Sequence, residues 1–266
     1  MRSIDTARLN HAFLSRRWAV LTGQLLFGVL IVAIWQGAVS AGIVKSFVLA
    51  PPWSVVSQAS AWFANGTIWT QIGSTLEVAG LGFVIGTVVG TSLGLAAGIV
   101  PAFRYFLSPF LGFFNSVPPL IIIPIFVLWF GFGNKPQVIV VTLGLIFLNA
   151  AVIEGAVSDI QGVLVLQARA LGASRWQMIK TVYIPGIGVW MVTLGRQNVA
   201  HSIVGATVVE FFGSRSGLGY LIENSLDRYD TRGIYAAIFI ASAIAYLFDT
   251  VMRRIDRRVS RYIPPR

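Results

Sequence analysis

The chain has 266 residues, of which 56% are hydrophobic and 11% charged, with a net charge of +10. Soluble domains carry about a quarter charged residues, so this composition points to a multi-span membrane protein and away from a nucleic-acid-binding domain. There is no cysteine and there are only two histidines, His11 and His201, which excludes thiol chemistry, disulfides and a histidine-rich metal site.

The basic segment 1–17 reads as a tail leading into a first apolar run, Trp18 to Gly42. At about 20 apolar residues this run is too long for a signal-peptide core and reads as a retained span. Segment 18–71 therefore holds this helix and the connection that follows it. The second span, Ile72 to Val100, carries Gly82, Gly86, Gly90 and Gly94 at every fourth position. One stripe of small residues lets another helix approach closely in lipid, and contact with substrate is the alternative. Glu77 falls early in this span, near the outer surface.

The third span, Tyr105 to Phe130, is interrupted by "NSVPP". Pro118 and Pro119 remove backbone donors, so the segment is either one kinked span or two half-helices. Asn115 and Ser116 precede the break, and such breaks expose backbone groups at membrane depth. The fourth span is Gln137 to Val157, the fifth Gly186 to Phe212, and the sixth Gly233 to Met252, followed by a basic tail, 253–266. The expectation is an all-α membrane protein with six transmembrane helices and a core over 72–252.

Six spans place both termini on one side. Arg2, Arg8, Arg16, Arg17, Arg104, Arg169, Arg175, Lys180 and the arginines after Met252 fall there, against Lys45, Lys135, Arg215, Arg228 and Arg232 on the other side. The positive-inside rule makes the richer side cytoplasmic.

Span five holds "GRQNVAHSIVGATVVEFFG". Spacing of three and four puts Gln197, Asn198, His201 and Ser202 on one helical face, with Arg196 offset. This set either lines a polar path that attracts an anion or fixes packing through hydrogen bonds and an Arg196–Glu210 pair.

The loop between spans four and five, about 158–185, contains "LQARALGASRWQMIKTVYIPG". Asp159 to Ala170 reads as a short helix. Gly172 stands where a helix would end in a left-handed turn. Ser174 with Gln177 three residues on forms a capping box, and Trp176, Ile179 and Val182 give the second short helix an apolar face. Pro185 marks the first turn of span five. The physics alone also allows an ordinary interfacial amphipathic helix.

This loop resembles the "EAA" loop of ABC-importer permeases. With Gly172 as anchor, Ala168 takes the second alanine, Val182 and Ile184 the aliphatic positions, and Pro185 the proline. Leu166 stands where the pattern has glutamate, and Gln167 at the first alanine. The segments "FVLAPPWSVV", "VPPLIIIPIFVLWFGFGNKPQ" and "GLGYLIENSLDRYDT" extend the resemblance over nearly the whole chain, closest to the nitrate/sulfonate/taurine branch.

The resemblance implies a five-helix importer core with span one at the periphery, two permease copies, a cytoplasmic ATPase dimer, and a periplasmic or lipid-anchored binding protein, in the bacterial inner membrane. It implies a coupling helix that docks on the ATPase through Leu166, Gln167, Ala168, Arg169, Leu171, Gly172, Ala173, Ser174, Arg175, Trp176 and Pro185, the contact being more apolar where Leu166 replaces glutamate. Arg196 and Glu210 also match positions commonly polar in that family, which suits a structural role, while the residues' own reading keeps open a translocation path past Asn115, Ser116 and the polar set of span five. No Walker A sequence, catalytic triad or carboxylate pair occurs, so no enzyme activity and no cofactor is expected in this chain. ATP and magnesium would sit on the partner. The expected cargo is a small anion such as a sulfonate, taurine or nitrate. The alternatives are a pyrimidine precursor, an aromatic carboxylate or bicarbonate on the same machine, or a secondary transporter that needs no ATPase.

Overall fold

The computed structural model describes residues 6–160 and 162–259, with side chains from residue 18 to residue 254 except at 119, 120, 161, 163 and 189. Arg2, Arg261 and Arg266 lie outside the described residues.

All the described regular structure is helical. In chain order the helices are α1 (Thr6–Ser40), α2 (Pro52–Ala64), α3 (Thr67–Ile99), α4 (Pro101–Ser116), α5 (Pro119–Phe130), α6 (Asn134–Ser158), α7 (Gly162–Ala170), α8 (Arg175–Met178), α9 (Ile184–Gly213), α10 (Leu218–Asp227) and α11 (Thr231–Val259). Parts of α1, α3, α6 and α11 are long and apolar enough to cross a membrane, and α4 with α5 and α8 with α9 form two further, bent pairs. These account for the six spans. The end bearing Gly172 is called the inner end here, following the charge sorting, and the end bearing α2 and α10 the outer end.

Several expectations change in detail. The third span is two helices that meet at 101°. Val117 and Pro118 are extended there, and Pro118 and Pro119 have no amide to continue the ladder of α4. Helix α1 already begins at Thr6, so most of the segment read as a tail is helical, and α11 likewise runs on to Val259. The short helices α2 and α10 are additions. Each has Pro or Gly at its start and too few apolar residues to register as a span.

The core is a three-helix seam of α3, α6 and α9. Helices α3 and α6 run parallel at a constant offset of 59 residues. A Cβ on Gly82, Gly86, Gly90, Gly94 or Gly98 would collide with Val141, Leu145, Asn149, Ile153 or Val157 in turn. At Gly90 and Gly94 it would also come within 2.6 Å of the Ile146 and Ala150 carbonyl oxygens. The glycine stripe is therefore a packing seam, the arrangement that small residues permit in lipid. Val78, Val141, Leu145, Val199, Ile203 and Val209 fill the space between the three helices.

Helix α1 stands apart. Its apolar stretch Trp18–Ser40 is unburied, and Trp35 makes its ring contacts on α11, stacking on Phe239 at 5.9 Å and tilting against Tyr235 at 6.0 Å.

Candidate functional site

Two regions carry the residues singled out by sequence: the inner-end segment 162–185 and the middle of α9.

The inner-end segment is built by local rules. Helix α7 closes in a Schellman turn: the Ala173 amide donates to the Ala168 carbonyl at 3.0 Å and the Gly172 amide to the Arg169 carbonyl at 2.9 Å. Gly172 is left-handed, φ 76, as the sequence requires. Ser174 then starts α8 with a full capping box, its hydroxyl accepting the Gln177 amide at 3.3 Å and its own amide donating to Gln177 Oε1 at 2.7 Å. Pro185 lies in the first turn of α9.

Two details of the loop differ from expectation. Asp159 caps α6, so α7 starts only at Gly162. The apolar face keeps Ile179, which packs on the core, and the half-buried Val182, but not Trp176, and its centre shifts because Ile179–Tyr183 form a π-helical turn. A wider turn brings residues five apart onto one face. Met178 and Tyr183 are accordingly the buried pair, packed on Ile153, Ala156 and Val157 of α6, while Trp176 is 70% exposed.

Ala168 and Ala173 pack against that cluster. Leu166, Gln167, Arg169, Leu171, Gly172, Ser174, Arg175 and Trp176 all face outward. Leu166 is 65% and Leu171 87% exposed. The result is a knob with three apolar side chains and two arginines, joined through the π turn to α9. Helix α9 bends by 53° near residue 189, one turn further on.

In the middle of α9 the expected single polar face divides. Asn198 is fully buried: its Nδ2 donates to Asn149 Oδ1 of α6 at 2.7 Å and to Thr87 Oγ1 of α3 at 3.2 Å. Ser202 is buried too and bonds the Val199 carbonyl at 2.9 Å. A solute cannot reach either residue in this conformation. Gln197 and His201 are exposed instead, and the Gln197 carbonyl lies 2.8 Å from His201 Nδ1. Helical spacing alone could not separate these pairs, since each sits one residue from the other. The division is set by which side α3 and α6 occupy.

His201 opens onto an apolar cavity of about 460 Å³ lined by Ile123 of α5, Gly144 and Leu148 of α6, and Val204 and Val208 of α9. At the α4–α5 break Asn115 and Ser116 are exposed, and the Ser116 hydroxyl turns back to the Gly112 carbonyl at 2.8 Å.

The Arg196–Glu210 pair does not form. Fourteen residues of one helix separate them, about 21 Å of rise. Arg196 pairs with Asp249 of α11, Nε to Oδ1 at 3.6 Å, and Arg253 pairs with the same carboxylate. Glu77 remains exposed and accepts from Asn134 Nδ2 at 3.0 Å. Among the described residues no cluster of His, Cys, Asp or Glu could hold a metal ion.

Sequence reasoning missed three partners: Thr87 and Asn149, which hold Asn198, and Thr75, whose hydroxyl donates to Glu210 Oε2 at 2.8 Å. Asn149 carried a signal, as an amide side chain midway along a largely apolar span. The two threonines carried none, because threonine is ordinary in a membrane helix.

Comparison with known proteins agrees with this architecture. The chain is 28% identical over 93% of its length to SsuC of Bacillus subtilis (strain 168), a permease protein assigned to aliphatic sulfonate transport, and covers 89% of that protein. It is 30% identical over 88% of its length to the riboflavin transport system permease protein RibX of Chloroflexus aurantiacus, covering 87% of it. Among solved structures, a chain of a bacterial ABC transporter that imports the acidic polysaccharide alginate superposes with a TM-score of 0.66 at 16% identity, covering 92% of this chain and 99% of that one. Residues 82–261 match the family described as binding-protein-dependent transport system inner membrane component, and with them two thirds of the sequence, including both regions above, so the chain belongs to that family.

Proposed function

We propose that this protein is the transmembrane subunit of an ATP-driven importer, working as a dimer of permeases in a bacterial inner membrane with both termini cytoplasmic. An ATPase dimer sits at the inner end and a binding protein delivers cargo at the outer end. The observation that carries the reading is the knob on α7 and α8. Three exposed apolar side chains, Leu166, Leu171 and Trp176, flank Arg169 and Arg175 on a segment held by a Schellman turn and a capping box. Such a knob suits a groove on a soluble partner better than open solvent. Because it continues through the π turn into α9, a push on it is delivered to the helix that carries Gln197 and His201.

The cargo is a small organic anion of the sulfonate or taurine kind. This rests on the sulfonate relative and on the taurine permease protein TauC of Escherichia coli (strain K12), 25% identical over 93% of this chain. Path contacts fall to Gln197, His201, Asn115 and Ser116, which are the exposed members of the expected set. Arg196 belongs instead to the α9–α11 ion pair, and Asn198 and Ser202 to packing.

The test is purification through a tag on this chain, followed by uptake in liposomes. The reading requires an ATPase that co-purifies and is lost in the Arg175→Glu, Trp176→Ala double variant. It also requires ATP-dependent uptake of taurine or an alkanesulfonate that falls in His201→Ala. Uptake driven by an ion gradient without any ATPase would replace it with a secondary transporter. Uptake of riboflavin alone would keep the machine and change the cargo, an outcome the riboflavin relative makes worth measuring.

A further inference from the structure

The bundle buries one carboxylate that neither the path nor the coupling segment uses. Glu210, near the outer end of α9, is 1% exposed. Its Oε2 accepts the Thr75 hydroxyl of α3 at 2.8 Å and the Gly219 amide of α10 at 3.0 Å. Thr75 Oγ1 in turn accepts the Leu218 amide at 2.9 Å, and Gln71 Oε1 the Gly217 amide at 2.6 Å.

These three amides open α10, and every helix start leaves such donors over. Gly217 has no side chain with which to cap them, so the cap comes from two other helices. Both glycines are needed for that approach. A Cβ on Gly217, whose φ is 108, would fall on the Glu210 carboxyl group, and a Cβ on Gly219 would fall on the Thr207 carbonyl.

Glu210 Oε1 is buried with no hydrogen-bond partner among the described residues. Leaving a polar atom so is costly, yet an apolar side chain in its place would leave the buried Gly219 amide unpaired and take the acceptor from the Thr75 hydroxyl. What the carboxyl group provides is direction. It fixes the start of α10 to α3 and α9 at once, while Leu218, Leu221 and Ser225 seat the helix below and Leu226, Asp227, Arg228 and Tyr229 stay exposed.

We propose that Glu210 is a positioning residue that joins α10 and the outer part of α9 into one body, so that a binding protein seated on the outer face shifts the path helix directly. This rests on the importer reading above. Coupling between two sites is a free energy worth roughly 5- to 150-fold, and it is carried by elements that move together rather than by distance alone. The Thr75–Glu210–Gly219 junction is the stiff connection at this end.

The experiment uses the intact transporter with its own ATPase in liposomes. ATP hydrolysis is read with and without the host binding protein, itself purified by its stimulation of the wild-type complex. Thr75→Val keeps the shape but removes the hydroxyl that both donates and accepts, and Thr75→Ser keeps that hydroxyl. The expected result is basal hydrolysis unchanged in all variants, stimulation lowered about fivefold or more in Thr75→Val and Glu210→Ala, and stimulation retained in Thr75→Ser. Wild-type stimulation in Thr75→Val overturns the proposal. So does a fall in basal and stimulated rates by the same factor, which is mere loss of structure. Should Glu210→Ala fail to assemble, the threonine pair decides alone. A wild-type complex that no host fraction stimulates removes the importer reading, and this proposal with it.

Discussion

The two ends of α9 are held in opposite ways. From Asn198 outward the helix is bonded side chain by side chain to its neighbours: Asn198 to Asn149 and Thr87, Glu210 to Thr75 and Gly219, and the Gly213 carbonyl to Gln137 at 3.4 Å. Inward of its bend near residue 189 the helix continues into a π turn, a four-residue helix and a left-handed glycine. Among the described residues the hydrogen bonds there are made within the segment, and its anchorage on the body is apolar, through Met178 and Tyr183 with Val165, Ala168, Ala173 and Ile179 beside them. Local capping gives a segment its own shape without fixing it to the body. Cross-helix bonding does the reverse. One helix thus has an end built into the bundle and an end that can travel.

That contrast predicts where substitutions will act. The largest effect belongs to the frame that holds the fixed end. Gly90→Leu, forcing a side chain onto the Ile146 backbone, should cost ~3 kcal/mol and lower the thermal midpoint of the purified protein sharply. An unchanged midpoint would mean that the α3–α6 seam has room for a side chain at Gly90. Next comes Asn198→Ala, which takes the donor from the buried Asn149 Oδ1 and should cost ~2 kcal/mol, again seen as a lower midpoint, with ATPase binding intact.

The travelling end should respond differently. Gly172→Ala meets no neighbouring atom within 4 Å, so its strain of about 1 kcal/mol stays local to the turn. Its expected signature is weaker ATPase co-purification at an unchanged midpoint. Ser174→Ala, which removes half of the capping box, should act the same way more mildly, at ~0.5–1 kcal/mol. A large midpoint shift in either inner-end variant would abolish the distinction between the two ends.

The sequence made some of this plain and hid the rest for physical reasons. Gly172, Ser174 and Gln177 could be read because caps are decided within a few residues of chain. The glycine stripe could be read because a four-residue period survives without knowledge of the partner. The π turn could not, since Ile179–Tyr183 carries no residue that distinguishes a π from an α turn, and its presence moved the buried face from Trp176 to Met178 and Tyr183. Gln197 and Asn198 likewise differ only in what lies beside them. Two short outer helices went unread because α2 and α10 begin with proline or glycine and end within 13 and 10 residues.

The shared offset along α3 and α6 has one more consequence. Five glycines meeting five side chains at the same spacing behave as a toothed rack. Such a pair does not slip by fractions. It stays engaged or jumps a whole tooth, four residues or about 6 Å, which would disengage one tooth at an end and bring unlike neighbours together at the others. A rack of this kind serves as the fixed rail of a mechanism. Movement in this protein is thereby left to the helices at its sides, α4 with α5 across their right-angled break and α9 below its bend.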